Sequence, residues 1–199
     1  MKMLGAWENA SVLKKEILVR REACLFLGVT AFALLTAVGA YLRIPLPFTP
    51  VPVTLQVFFV LLCAATLGPV YGTISQLLYI GLGMAGLPMF TLFGAGFSHL
   101  LGPTGGYILG FVAAQALAGF IIHRGSISAA GPLRIAIGMA VGIIVIYTFG
   151  VAHLKIVTGM SVRHAIALGA LPFIPADMAK AIVALLIVSG TKKRIAEIF

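Results

Sequence analysis

Between Arg43 and Arg124 the chain carries no Lys, Arg, Asp or Glu, and from Ala23 to Ala196 its only acidic side chain is Asp177. A soluble domain needs polar and charged groups over its whole surface, so an uncharged stretch of this length leaves it no water-facing side. With 61% hydrophobic and 10% charged residues in 199, and a mean hydropathy of +1.13, the chain is solvated by lipid. A hydrocarbon core about 30 Å thick takes roughly 20 helical residues per crossing, which leaves room for about six spans and no large soluble domain.

A net charge of +9 raises the question of a nucleic-acid partner. The distribution answers it. Lys14, Lys15, Arg20 and Arg21 precede the first apolar run, and Lys192, Lys193 and Arg194 follow the last. Bases gathered at the ends of spans mark cytoplasmic segments, and no folded basic face remains for nucleic acid. With six spans both termini are cytoplasmic. That side then holds Lys2, Lys14, Lys15, Arg20, Arg21, Arg124, Arg134, Lys192, Lys193 and Arg194, whereas the external loops hold only Arg43, Lys155 and Arg163.

The organisation follows from apolar runs and helix breakers. Residues 1–22 form an N-terminal segment in which Glu8–Glu22 has the spacing of an amphipathic helix lying on the membrane surface. Residues 23–191 form the membrane domain, and 192–199 a basic cytoplasmic tail. The first run, 23–42, is too long for a signal core and leads into more membrane, so it is a retained span. Four prolines, Pro45, Pro47, Pro50 and Pro52, make 43–52 an ordered extended loop. Spans follow over 53–67 and 71–86, divided at Gly68-Pro69, then over 104–122 and 133–154. The last, 176–189, is short and starts inside a cavity. The stretch 87–103 is apolar but broken by Pro88, Gly94, Gly96, Gly102 and Pro103, so it folds back on the bundle. Three long loops, 43–52, 87–103 and 155–175, fall at the external end, the arrangement of a lidded ligand site.

Asp177 and Lys180 stand three residues apart on one face of the last helix. A charge at the centre of a spanning helix costs roughly 2.5 to 3.5 kcal/mol on insertion scales, so the pair needs a reason. It either staples the helix or points into a ligand cavity, where Asp177 accepts N–H groups and Lys180 donates to a carbonyl or carboxylate. His99, Arg43, Lys155, His153, Arg163 and His164 supply positive charge near the external mouth, with His99 in the loop that covers the cavity. Gln56 and Gln76 bond a ligand or bond across helices. Cys24 and Cys63 lie in separate apolar runs and form no disulfide framework, and no metal-ligand spacing occurs. The absence of a G-x-x-x-x-G-K-[ST] loop and of a nucleophile, base and acid set favours binding or transport over catalysis. Along the first span Ala33, Ala37 and Ala40 place small side chains on one side, which admits a closely packed helix, from a partner or from the same bundle. Gly68-Pro-Val-Tyr-Gly72 and Gly138-Met-Ala-Val-Gly142 are weaker versions.

Several runs together resemble the BioY family of biotin-capturing S components of energy-coupling factor (ECF) transporters: Pro47-Phe-Thr-Pro-Val-Pro-Val-Thr-Leu-Gln56, Leu67-Gly-Pro69, Ser75-Gln-Leu-Leu-Tyr79, Gly86-Leu-Pro-Met-Phe90, Gly102-Pro-Thr-Gly-Gly-Tyr107 and Pro172-Phe-Ile-Pro-Ala-Asp-Met-Ala-Lys180. The resemblance spans the first helix to the last. It implies an all-α, six-helix S-component fold in a prokaryotic cytoplasmic membrane, binding biotin from outside without a cofactor. It also implies a membrane T subunit, docked on the small-residue face of Ala33, Ala37 and Ala40, and two ATPase subunits. Asp177 and Lys180 are the implied biotin contacts, with His99 the candidate before the Gly-Pro-Thr-Gly-Gly run. Arg43, Gln56, Tyr79 and Tyr107 complete the candidate binding set. An S component for another vitamin, a small intramembrane enzyme and a ligand-free scaffold are the rival expectations.

Overall fold

A computed structural model describes the backbone of residues 2–198 and the side chains of residues 21–198. Helix α1 runs without a break over Lys2–Tyr41, so residues 2–22 are continuous with the first apolar run. The side chains of the expected amphipathic face lie almost wholly outside the described residues. After α1 the proline loop is closed at its base by two short antiparallel strands, β1 (Arg43–Ile44) and β2 (Val53–Thr54), with Arg43 opposite Thr54 and Ile44 opposite Val53. The Leu55 N–H, donating to the carbonyls of Gly39 (3.1 Å) and Leu42 (3.0 Å), ties the loop's exit to the end of α1. A β-carbon at Gly39 would stand 2.8 Å from the Gln56 backbone nitrogen, so only glycine lets the two elements cross this closely.

Helical segment α2 (Gln56–Met84) is a hairpin rather than a rod. Gly68 adopts φ 72° and ψ −171°, a conformation open to glycine, and Pro69 cannot continue the preceding helix's bonding. The reversal brings Gln56 Nε2 within 2.8 Å of the Tyr79 hydroxyl, two residues that a straight helix would hold about 35 Å apart. The limbs 56–67 and 69–84 therefore lie antiparallel, about 18 and 24 Å long. Their division falls where Gly68-Pro69 predicts it.

The 87–103 stretch folds back as expected, through a 3₁₀ turn at Thr91–Phe93 and the short α3 (Phe97–Leu100). Helices α4 (Gly105–Ile122) and α5 (Pro132–Thr158) pack against each other and against α2. The 155–175 stretch contains the end of α5, α6 (Val162–Gly169) and a 3₁₀ turn at Leu171–Phe173. The last helix, α7 (Ile174–Ile198), continues through Lys192, Lys193 and Arg194. The basic stretch after 191 is thus helix as far as Ile198, and the span read as 176–189 is part of a 25-residue element. Five stretches are long and apolar enough to cross a membrane among the described residues, one of them the folded α2. Cys24 and Cys63 are free thiols.

The small-residue face of α1 is used inside the chain. Ala33, Ala37 and Ala40 are 0%, 5% and 0% exposed. The second limb of α2 lies along this face: Ser75 Oγ donates to the Val29 carbonyl (2.9 Å) and Gln76 Nε2 to Thr36 Oγ1 (3.3 Å). The stripe expected to dock a partner is covered by the chain's own α2, which leaves Ala33 and Ala40 no exposed surface and Ala37 only 5%. Gln76 likewise bonds across helices. At Gly72 a β-carbon would meet Gln115 Oε1, and at Gly142 it would meet Leu61, so the weaker small-residue pairs also pack internally.

Candidate functional site

All three long loops lie at one end of the bundle, where they cover a narrow cavity of about 50 Å³. That is below the roughly 300 to 1,000 Å³ of occupied small-molecule sites, so a ligand of that size requires the covering loops to part. Its wall is mostly apolar: Val51, Val57, Ile108, Phe111, Ile146 and Phe173. Polar groups enter at few points, chiefly Asp177, Tyr147, Gln56, Thr54 and Tyr107.

Asp177 sits in the first turn of α7, where unpaired N–H groups favour a carboxylate. It is 3% exposed. One carboxylate oxygen, Oδ1, accepts from Lys180 Nζ at 2.6 Å, and the other, Oδ2, from the Tyr147 hydroxyl at 2.6 Å. Lys180 also donates to the Thr54 carbonyl at 2.6 Å, joining α7 to the end of the proline loop. The pair is therefore both things the sequence allowed: a bridge within α7, and a carboxylate on the cavity wall. Lys180 stands behind Asp177 and does not line the cavity. An ionised carboxylate offers about four acceptor positions, of which two are taken here, and an ammonium three donors, of which two are taken. Asp177 therefore retains acceptor capacity on the cavity side, while the third Lys180 proton has no cavity surface.

Gln56 lines the opposite wall. Its Nε2 donates to the Tyr79 hydroxyl, and its Oε1 accepts from Thr54 Oγ1 at 3.3 Å. Tyr79 is fully buried, packs edge-on against Phe90 and is absent from the cavity wall. It holds Gln56 and has no surface of its own to offer a ligand. Tyr107 does line the cavity, with its hydroxyl spent on the Gly169 carbonyl at 2.6 Å, which fixes the end of α6 over α4.

Beyond Pro52, Thr91 and Thr104, which border both spaces, lies an outer chamber of about 440 Å³. Arg43, Thr49, Ser98 and His99 line it. The His99 ring stacks on Phe90 (centroids 5.0 Å apart, planes 18° apart), with Nε2 3.4 Å from Thr91 Oγ1. Burial lowers its pKa below the ordinary histidine value. The predicted residues thus divide: Asp177, Gln56 and Tyr107 line the inner cavity, Arg43 and His99 the outer chamber, and Lys180 and Tyr79 support. Lys155, His153, Arg163 and His164 line neither, and His153 pins the Gly102 carbonyl (3.1 Å).

Sequence reasoning missed Tyr147. A tyrosine inside an apolar run costs little and raises no flag. Its importance comes from the packing of α5 beside α7, which no local spacing encodes.

The fold and site define a helical membrane protein with a small-molecule cavity beneath the loops at one end. The sequence matches the model of the BioY family over residues 14–197, so the chain belongs to the BioY family. It is similar to the "Probable biotin transporter BioY" of Pyrococcus horikoshii, 43% identical over 159 residues, covering 80% of this chain and 90% of that protein. It is also similar to the "Biotin transporter BioY" of Thermotoga maritima, 42% identical over 162 residues, covering 81% and 92%. Among solved structures, the S-component for biotin from an ECF-type ABC transporter matches with a TM-score of 0.80 at 28% identity, over 86% of this chain and 92% of that one.

Proposed function

We propose that this chain captures biotin at the outer face of a prokaryotic cytoplasmic membrane and serves as the S component of an ECF-type transporter. The observation that carries the ligand is the buried Asp177 carboxylate on an otherwise apolar wall, with acceptor positions unspent. Biotin has a ureido ring with two N–H donors and one carbonyl, an apolar sulfur-containing ring and a carboxylate tail. The ureido donors suit Asp177, and the fused rings suit Val57, Phe111 and Phe173. The tail carboxylate is repelled by Asp177 and attracted by Arg43, which orients the ligand with its ring inward.

Six crossings follow if each limb of α2 counts as one, alongside α1, α4, α5 and α7. The limbs are shorter than the hydrocarbon core, and the covering loops complete the thickness. Both termini are then cytoplasmic. Support comes from the bases at the end opposite the cavity, where Arg134 holds the carbonyls of Arg124 (2.6 Å) and Ser126 (2.8 Å) and Lys192 that of Ala130 (2.8 Å). Energy for uptake comes from a T subunit and two ATPase subunits. The test is a panel of labelled vitamins on purified protein, with co-purification of the native complex. Nanomolar biotin binding and recovery of the ATPase subunits are expected. Millimolar binding, or tighter binding of another vitamin, overturns the assignment.

A further inference from the structure

The outer chamber is larger than the inner cavity, and its rim is open. Pro45, Pro50, Leu92 and Ser98, all on its wall, are exposed, so no layer of protein closes it on the outside. It also differs in chemistry. The inner cavity holds the only acidic side chain between Ala23 and Ala196. The outer chamber holds Arg43, whose guanidinium makes no hydrogen bond or ion pair among the described residues. The Pro52, Thr91 and Thr104 neck joins the two spaces.

A ligand seated with its ring against Asp177 sends its tail through this neck into a wide, solvent-open space with a single unspent positive charge. Nothing there measures the length of the tail, whereas the sign of charge at its end is read by Arg43. We propose that the site accepts biotin conjugates extended by an amide at the tail carboxyl when the extension ends in carboxylates, and discriminates against those that end in an amine. This rests on biotin being the ligand of the inner cavity. The selectivity for charge at the tail is electrostatic and partly solvated, so it is of rim-contact size.

Full-length protein in lipid nanodiscs is titrated with biotin, with its amide to glutamate and with its amide to ethylenediamine. The glutamate conjugate is expected to bind within about tenfold of biotin, and the amine conjugate about two- to fivefold below the glutamate conjugate. Arg43→Gln brings the two conjugates together, whereas Arg43→Lys, which keeps the charge, preserves their order. The proposal is overturned if biotin binds but the glutamate conjugate is more than about tenfold weaker, because the chamber then closes on the tail. It is also overturned if the conjugates bind alike in the wild type. If biotin itself fails to bind, the ligand assignment is wrong and this inference falls with it.

Discussion

In the inner cavity Asp177, Tyr147, Gln56 and Tyr107 are each already held by another protein group: Asp177 by Lys180 and Tyr147, Gln56 by Tyr79, Tyr107 by the Gly169 carbonyl. In the outer chamber Arg43 is unpaired among the described residues, and His99 has only a stacked ring and one long contact at 3.4 Å. The difference is one of preorganisation. Groups fixed before a ligand arrives lose little conformational freedom on binding, so in the proposed function the inner cavity is the part that supplies affinity. A guanidinium without a partner among the described residues, in a wider and more open space, contributes less and tolerates more.

The largest effects should come from the inner pair. Removing one partner of a buried charge-assisted contact typically costs about 2 to 5 kcal/mol, roughly 30-fold to several thousand-fold in affinity. Asp177→Asn and Lys180→Met should each lose biotin binding on that scale in titration calorimetry. Wild-type affinity in both folded variants would reduce the pair to a helix bridge and erase the contrast between the chambers.

Supporting residues come next. Tyr147→Phe removes one neutral donor from a charged acceptor, worth about 1.5 to 3 kcal/mol and so tenfold or more in affinity. Tyr79→Phe frees the Gln56 amide to rotate and should cost about 0.5 to 1.5 kcal/mol, roughly two- to tenfold. If Tyr79→Phe proved the more damaging, the weight of recognition would lie on Gln56.

The smallest effect belongs to His99. Its lowered pKa leaves the ring neutral at pH 7, and protonation arrives below the ordinary histidine range. Acidification below the ordinary histidine range therefore adds positive charge beside the tail, so biotin should bind up to about fivefold tighter there than at pH 7. A neutral-tail biotin amide should show no such gain, and His99→Gln should abolish it. An equal response from both ligands would remove His99 from tail recognition.

What was legible in the sequence follows from what burial penalises. A lone carboxylate in a run of apolar residues is costly, so Asp177 and Lys180 stood out, and Gly68-Pro69 marked the reversal of α2 because few other pairs tolerate it. Whether Ala33, Ala37 and Ala40 faced a partner or the bundle was not legible, since small residues permit close approach without naming the neighbour. The structure gives them to α2. Ala33→Leu should overpack that contact by about 1 to 3 kcal/mol, lowering thermal stability and biotin binding together rather than uptake alone. Tyr147 and the helical continuation through Lys192–Arg194 were illegible for a related reason. Each depends on contacts between elements distant in sequence.

The central claim is that Asp177 receives the ureido N–H groups. A thermodynamic cycle tests it directly, comparing biotin with a ureido N-methylated analogue in the wild type and in Asp177→Asn. Methylation should weaken binding strongly in the wild type and little further in the variant, because both changes remove the same contact. Losses that simply add would place the ureido donors elsewhere and contradict the account.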